Sequence, residues 1–499
     1  MTACVIAADL GAGSLRVAAI TAEGRELAIA AVPLAADEPF PGWAELDPEL
    51  WWQGLAEATG KVLARLPKGV KPAALCLSGL TRSQVLLGEA GRPLRPAILF
   101  RDRRAADDAA AVASHFLGTN PADAITAFHP LARLSWVARC EPDVFERLAL
   151  VLEPKDFLAW RLTGQASADA VTYSRFDALE PQGGPLPGWL DRCRQFLDLP
   201  RPLPWEQIGL ITAAAAPFDR LAGLPVFAGA MDTWAAATGS GALLPGQAYD
   251  VAGTSEVVGL LSRTRAATPG LLAMRWGDDL YQLGGPTQAG ADCALWAHQS
   301  FRCAGRLDAA VERAGRIPPS DDLPLFLPYL AGERTPVWRS DVRGAFFGLG
   351  RTLGPDEFLW SVLEGVAHAV RDILDMAAAG CGARVTEMRV SGGGARSDAW
   401  CQLKADVSGV PVVRATHEET GLIGAAMAAT VGLGIHADLA AAAAAMCPVD
   451  AVFEPQAPLK PFYDRRAALY QRVKGTALDL AGPALAPAPP QPKRQGNAS

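Results

Sequence analysis

From Val5 to Ala8 the chain is continuously apolar; it breaks at Asp9, turns on Gly11 and Gly13, and resumes through Leu15, Val17 and Ile20. This pattern predicts two strands joined by a glycine turn, with Glu26 to Val32 as the third strand of an antiparallel meander. Between Pro48 and Leu66 the period changes to that of a helix: Leu50, Trp51, Leu55, Ala58, Val62 and Leu66 share one face, and Asp47 stands at the cap position. Further strands are expected at Ala73 to Ser78, Val85 to Leu87 and Pro225 to Ala230, with helices at about 102–115, 131–140, 155–163 and 233–239.

Past Leu243-Leu244-Pro245-Gly246 the logic repeats. Asp250-Val251-Ala252-Gly253-Thr254-Ser255-Glu256-Val257-Val258 echoes Asp9-Leu10-Gly11-Ala12-Gly13-Ser14-Leu15-Arg16-Val17 as a second hairpin with bare backbone at its tip. A long helix follows at Pro355 to Ala379, with Phe358, Val362, Val366, Ala369, Ile373 and Met376 in one stripe. Then come a strand, Glu387 to Ser391, and helices at Ser397 to Val407 and Gly421 to Val431. The expectation is an α/β protein with domains at 1–245 and 246–475, and a disordered Pro/Ala-rich tail at 476–499.

A length of 499 residues suits two or three domains, and 50% hydrophobic with 20% charged residues is a globular composition. The net charge of −7 leaves no basic face for nucleic acid or an anionic membrane. Nine scattered cysteines without a Cys-x-x-Cys pair read as reduced, mostly buried thiols, and the six dispersed histidines offer no transition-metal site. No basic leader precedes the first apolar run, and Leu439 to Met446 is too short to span a bilayer. A cytoplasmic location is expected.

Five places could carry chemistry. Asp9, ending a buried strand beside a glycine turn, suits a Mg²⁺ held directly or through water, or it caps the turn; Gly11, Ser14 and Arg16 could meet phosphate oxygens. Asp232, at a strand-to-helix junction, suits a general base or an N-cap. Gly392-Gly393-Gly394, between a strand and a helix, could let a phosphate or a nucleobase approach bare backbone. Trp43 in a polar turn could stack on a sugar or cover the following helix. Ser78-Gly79-Leu80-Thr81-Arg82 and Phe100-Arg101-Asp102 could line a hydroxyl-binding wall, or their arginines form surface ion pairs.

In this order the segments from about Val5 to Arg472 resemble the FGGY family of carbohydrate kinases, closest in pattern to the xylulokinases. The resemblance rests on Pro41-Gly-Trp-Ala-Glu-Leu-Asp-Pro-Glu-Leu-Trp-Trp52, Leu327-Pro-Tyr-Leu-Ala-Gly-Glu-Arg-Thr-Pro336, Gly344-Ala-Phe-Phe-Gly-Leu349 and Gly392-Gly-Gly-Ala-Arg-Ser397. It implies two actin-like, ribonuclease-H-type domains with ATP, Mg²⁺ and a small sugar, sugar acid or polyol meeting in the cleft between them. It further implies Asp232 as the base and Asp9 on the metal side. Gly253, Thr254 and Ser255 would face the terminal phosphates. Gly290, Gly393, Gly394, Ala395 and Asp398 would lie on the nucleotide side, and Trp43, Thr81, Arg82, Asp102 and Asp232 would face the sugar. A homodimer is compatible with it. So is a rival of another class, a non-catalytic nucleotide switch of the actin or chaperone kind.

The chain also departs from that pattern. Ala12-Gly13 stands where the family's first turn carries Thr or Ser. Thr81-Arg82 replaces Met-His, and Phe100-Arg101-Asp102 replaces Trp-Asn-Asp. The two added arginines suit a sugar acid such as gluconate.

Overall fold

The computed structural model describes residues 3–117, 125–177, 179–183 and 185–482. Two sheets organise it. The first runs Glu26–Pro33, Ser14–Ile20, Ala3–Leu10, Lys71–Gly79, Pro225–Phe227, Gln207–Leu210 in spatial order; the second runs Leu272–Arg275, Tyr281–Pro286, Glu256–Ser262, Gln247–Ala252, Glu387–Ser391, Val412–Ala415, Val449–Phe453. In each, an antiparallel meander gives way to strands running parallel to its first strand. This duplicated mixed α/β architecture is the one expected.

Local chemistry explains the elements. Ala3–Leu10 is almost wholly buried because helices cover the sheet on both faces. Asp47 caps the helix Pro48–Ala64, its Oδ1 accepting from the Glu49 amide at 3.0 Å. Trp51, Trp52, Leu55, Ala58 and Val62 face the sheet, whereas Leu50, expected on that face, is 43% exposed. It lies at the edge of the stripe centred on Trp51 and Leu55, and Trp52 packs instead, against Phe218. Between Gly79 and the strand Gln207–Leu210 the first half carries an additional lobe with its own core around Leu86, Leu134, Val137 and Tyr173. The final helix, Lys460–Leu480, runs past the boundary drawn at 475, and 483–499 lie outside the described residues.

The two halves meet most closely at a helix crossing. Helix Asp232–Gly239 of the first half packs on helix Thr420–Gly432 of the second, which also lies under strands Ala3–Leu10 and Lys71–Gly79. The contact is backbone on backbone and reciprocal. A Cβ on Gly239 would lie 1.9 Å from the Thr420 carbonyl oxygen, and one on Gly424 would lie 2.0 Å from that of Ala235. A single core, including Val5, Cys76, Trp234, Tyr249, Trp276, Ile423 and Met427, therefore runs through both halves.

The echo between Asp9 and Asp250 is one residue out of step. Asp9 lies opposite Ser78 in the parallel pairing, but the residue opposite Ser391 is Val251, and Asp250 pairs with Val390. Since strand side chains alternate between faces, Asp250 points the other way. It is fully buried against Lys404, whose Nζ donates to Asp250 Oδ2 at 2.5 Å and to Glu256 Oε2 at 2.9 Å. The second hairpin supplies a structural ion cluster where the first supplies a cleft carboxylate.

Gly424→Ala tests the crossing. Helix propensity alone favours Ala by about 1 kcal/mol, but the carbonyl contact outweighs it, and a net loss of about 1–3 kcal/mol is expected in denaturant unfolding. Gly60→Ala, where nothing lies within 4 Å of the added Cβ, has only the propensity gain and should stabilise.

Candidate active site

At the floor of the cleft three carboxylates gather from separate elements. Asp9 ends its strand, Asp232 opens the helix Asp232–Gly239, and Glu419 precedes the helix Thr420–Gly432. The approach to Asp232 is tightly built. Gly229 adopts φ 57° with its Cα pressed on the Leu77 carbonyl, where a Cβ would come within 1.8 Å, and the Met231 amide donates to Thr172 Oγ1 at 3.0 Å. Met231 stands at the cap position with no side-chain cap bond, and Asp232 is the first helical residue. Its Oδ1 accepts only from its neighbour Thr233, from the amide at 2.7 Å and the hydroxyl at 3.3 Å. One oxygen thus serves the first helical turn, and Asp232 remains beside Asp9.

Burial pushes the Asp232 carboxyl up to about 7, with the charge of Asp9 as the next cause. Asp9 is raised too, first by burial; Ser78 Oγ, donating at 3.1 Å, and the charge of Arg16 oppose this, while Glu419 adds to it. Arg16 spans to Glu419 at 3.5 Å. Gly421 lets the second half approach, since a Cβ there would lie 3.1 Å from Asp9 Oδ2.

Above this floor the turn Gly253-Thr254-Ser255 is anchored from behind. Its carbonyls at Gly253 and Thr254 accept from the Ala291 and Asp292 amides, so that it caps the helix Ala291–Ser300. Gly290 is buried against it, 2.6 Å from Thr254 O for a hypothetical Cβ; its lack of a side chain serves packing, not an open nucleotide face. Arg334 Nη2 donates to Ser255 Oγ at 3.1 Å and its Nε to the Thr287 carbonyl at 3.1 Å. The neighbouring Glu333 accepts from the Gln288 and Arg334 amides, and burial raises its carboxyl to about 8.

Within the glycine loop the three residues differ. Gly392 and Gly394 are small because Ala252 crosses them, at 2.6 and 2.9 Å from a hypothetical Cβ. Ala395 is buried, its carbonyl accepting from Arg414 at 2.9 Å. Only Gly393 faces open space, with the exposed Asp398 nearby on the helix Asp398–Ser408, paired to Arg414 at 2.8 Å. At the other turn Gly11 and Ser14 are half-buried and close the hairpin, the Gly11 amide donating to Ser14 O at 2.9 Å.

On the sugar side the expectations divide. Thr81 and Arg82 are half-exposed, Arg82 in a left-handed conformation at φ 58°. Asp102, expected to face a sugar, is fully buried: Oδ2 accepts from the Ala44 amide at 2.6 Å and Arg104 Nη2 at 2.7 Å, and Oδ1 accepts from the Arg104 amide and Nε at 2.9 Å. It ties the Trp43 loop down instead. Trp43 itself is half-buried, with the Arg104 guanidinium 3.8 Å over one face and Trp136 at its edge.

Residues 4–239 match the N-terminal domain of the FGGY family of carbohydrate kinases and residues 248–433 its C-terminal domain. The chain belongs to the FGGY family. It is a sugar kinase, in a family that draws phosphate from ATP. The xylulose kinase of Escherichia coli K12 is 32% identical over 450 residues, 85% of this chain and 89% of that protein. The crystal structure of xylulose kinase from Rhodospirillum rubrum superposes with a TM-score of 0.85 at 25% identity, covering 95% and 99% of the two chains. Gluconate kinase from Lactobacillus acidophilus shares the fold, with a TM-score of 0.85 at 22% identity over 97% and 99%. The rival reading of a non-catalytic switch gains no support from relatives named as kinases. Among the described residues no helix is long and apolar enough to cross a membrane.

The floor of this FGGY kinase suits Mg²⁺ and a polyphosphate. Asp9 keeps acceptor capacity beyond its bond from Ser78 Oγ, and burial first, neighbouring negative charge after it, raises the carboxyls of Asp9 and Asp232. Among the described residues no group of three or more His, Cys, Asp or Glu side chains could hold a metal ion. Sequence reasoning missed Glu153, Arg175, His129 and Arg133, which converge on Thr81-Arg82 and carry no motif. Arg334 lies in a recognised motif without an assigned role, and its two-residue spacing from the buried Gly332 turn offered no clue.

Asp102→Ala would leave the Ala44 amide without its acceptor in a dry interior and the Arg104 guanidinium with Glu45 Oε1, 2.7 Å from Nη2, as its remaining carboxylate. A loss of about 1–3 kcal/mol is expected by chemical denaturation, which a residue merely lining an open pocket would not produce.

Proposed function

We propose that this kinase transfers the γ-phosphoryl group of ATP to a hydroxyl of a small sugar, with Asp232 as the general base. The supporting observation is the Asp232 carboxylate: held at the first turn of a helix, uncommitted beyond its neighbour Thr233, and raised to about 7. Asp232 takes the hydroxyl proton as that oxygen bonds to phosphorus and the bridge to ADP breaks, leaving the sugar phosphate and ADP. Asp9 would hold Mg²⁺, which when bound offsets negative charge on the phosphate oxygens. The hairpin turns at Gly11 to Ser14 and Gly253 to Ser255 present backbone amides and hydroxyls toward the terminal phosphates. Arg334 keeps Ser255 in place, and Gly393 with Asp398 borders the adenosine side. On this reading the domains divide at 245, with the 420–432 helix packing against the first half.

Asp232→Asn should lower kcat by about 10²–10⁴-fold while leaving ATP binding intact, a result checked by ADP release and by calorimetry. In the parent enzyme kcat/KM should rise with pH up to about 7 and then level, because the base works only when deprotonated. In Asp9→Asn, assayed for its residual activity, that limb should move to lower pH, since the Asp9 charge is one of its causes. A limb that does not move would argue against the proximity of the two groups.

A further inference from the structure

Nothing outside its own helical turn holds the Asp232 carboxylate: among the described residues it accepts only from Thr233. Its position is therefore set by the backbone that leads into it, Ala228 to Met231. Buried side chains grip that backbone at both ends. Lys155 Nζ donates to the Ala228 carbonyl at 3.3 Å, and Thr172 Oγ1 accepts from the Met231 amide at 3.0 Å. Between them the Ala230 carbonyl accepts from the Gly79 amide at 3.4 Å, and Gly229 rests on the Leu77 carbonyl.

The two grips are joined through Asp169. Its Oδ1 accepts from the Thr172 amide at 2.7 Å, and its Oδ2 lies 2.9 Å from Lys155 Nζ, which also donates to Asp156 Oδ1 at 2.5 Å. The Asp169 carbonyl accepts from the Tyr173 amide, so the short turn Thr172–Phe176 starts from this one residue. Thr172 and Asp169 are 0 and 1% exposed, and Lys155 and Asp156 are buried with them. Bonds from an ammonium or an amide to a buried carboxylate are short and strong, and leaving any of these groups unpaired in a dry interior is costly. A closed ring results: Ala228, Lys155, Asp169, Thr172, Met231, and back along the four residues that precede the base.

Apolar packing alone would cover this segment, since Ala230, Met231 and Trp234 belong to the core shared by the two halves. Hydrophobic contact is non-directional, however, whereas hydrogen bonds fix distance and angle. A base must come within about 2.6–3.2 Å of the oxygen whose proton it takes, so the ring supplies what the core does not.

We propose that Thr172, held by Asp169, is the positioning residue of the base: it fixes the start of the helix Asp232–Gly239 so that the Asp232 carboxylate reaches the hydroxyl to be phosphorylated. The inference rests on the reading of Asp232 as the base. Thr172 acts through the Met231 amide and touches no reacting atom.

A double-mutant cycle tests it. Thr172→Val keeps the shape of the side chain and removes the acceptor, whereas Thr172→Ser keeps the hydroxyl. ADP release is measured over a panel of pentuloses, polyols and aldonates, and the compound that the parent turns over fastest carries the cycle. Thr172→Val should lower kcat by about 10–100-fold with the KM for ATP unchanged, and Thr172→Ser should restore most of the loss. In the Asp232→Asn background Thr172→Val should cost nothing further, because residues that act through one group are not additive. Melting curves establish that each variant is folded at the assay temperature; should Thr172→Val not fold, Thr172→Ala runs the same cycle without adding a methyl group to a buried site. A parent-like kcat in Thr172→Val, an equal loss in Thr172→Ser, or losses that add to that of Asp232→Asn overturn the proposal and leave the base in place. A parent-like kcat in Asp232→Asn, or no turnover of any compound by the parent, overturns the phosphoryl-transfer reading and the proposal with it.

Discussion

The contact on which the rest depends is the crossing of two helices at backbone distance, Gly239 on the Thr420 carbonyl and Gly424 on that of Ala235. Helix pairs are ordinarily held about 8–10 Å apart by their side chains; here two absent Cβ atoms bring them closer. Both helices begin at the cleft floor; the first sheet sets Asp232 beside Asp9, and the crossing brings Gly421 of the second half onto the Asp9 carboxylate. Interlocked carbonyls and glycines leave no slack for the helices to slide along either axis.

The buried acids fall into two kinds. Asp156 and Asp169 enclose Lys155, and Asp250 and Glu256 enclose Lys404, each cluster deep in its own half with its cation supplied. Among the described residues, Arg16, itself half-exposed, pairs with the cluster of Asp9, Asp232 and Glu419, at 3.5 Å from Glu419. The first arrangement holds the fold together. The second is a standing electrostatic cost that the fold tolerates, and such costs gather where chemistry is done.

Much of this was legible in the chain, because strands, hairpins and long helices announce themselves in local period and turn residues. The meander, the capped helix at Pro48 and the long helix beginning at Pro355 are where the pattern predicts them. What failed was relational. Asp250 resembles Asp9 in its neighbours but not in register, and one residue of offset turns a strand side chain to the opposite face. Gly392 and Gly394 spell a phosphate loop, yet the hairpin at Ala252 is what requires them. Arg175 meets Thr81 across a long stretch of sequence with no periodicity or motif to link them; only tertiary packing brings the two together.

Arg133 gives the wall at Thr81-Arg82 an unusual property. One guanidinium grips the carbonyls of Arg82, Phe100 and Asp102, so two loops distant in sequence share a single fastening. Lengthening or grafting either loop alone would break the bonds of the other. Exchanging a side chain that projects from this backbone leaves the fastening in place, whereas a change in loop length does not.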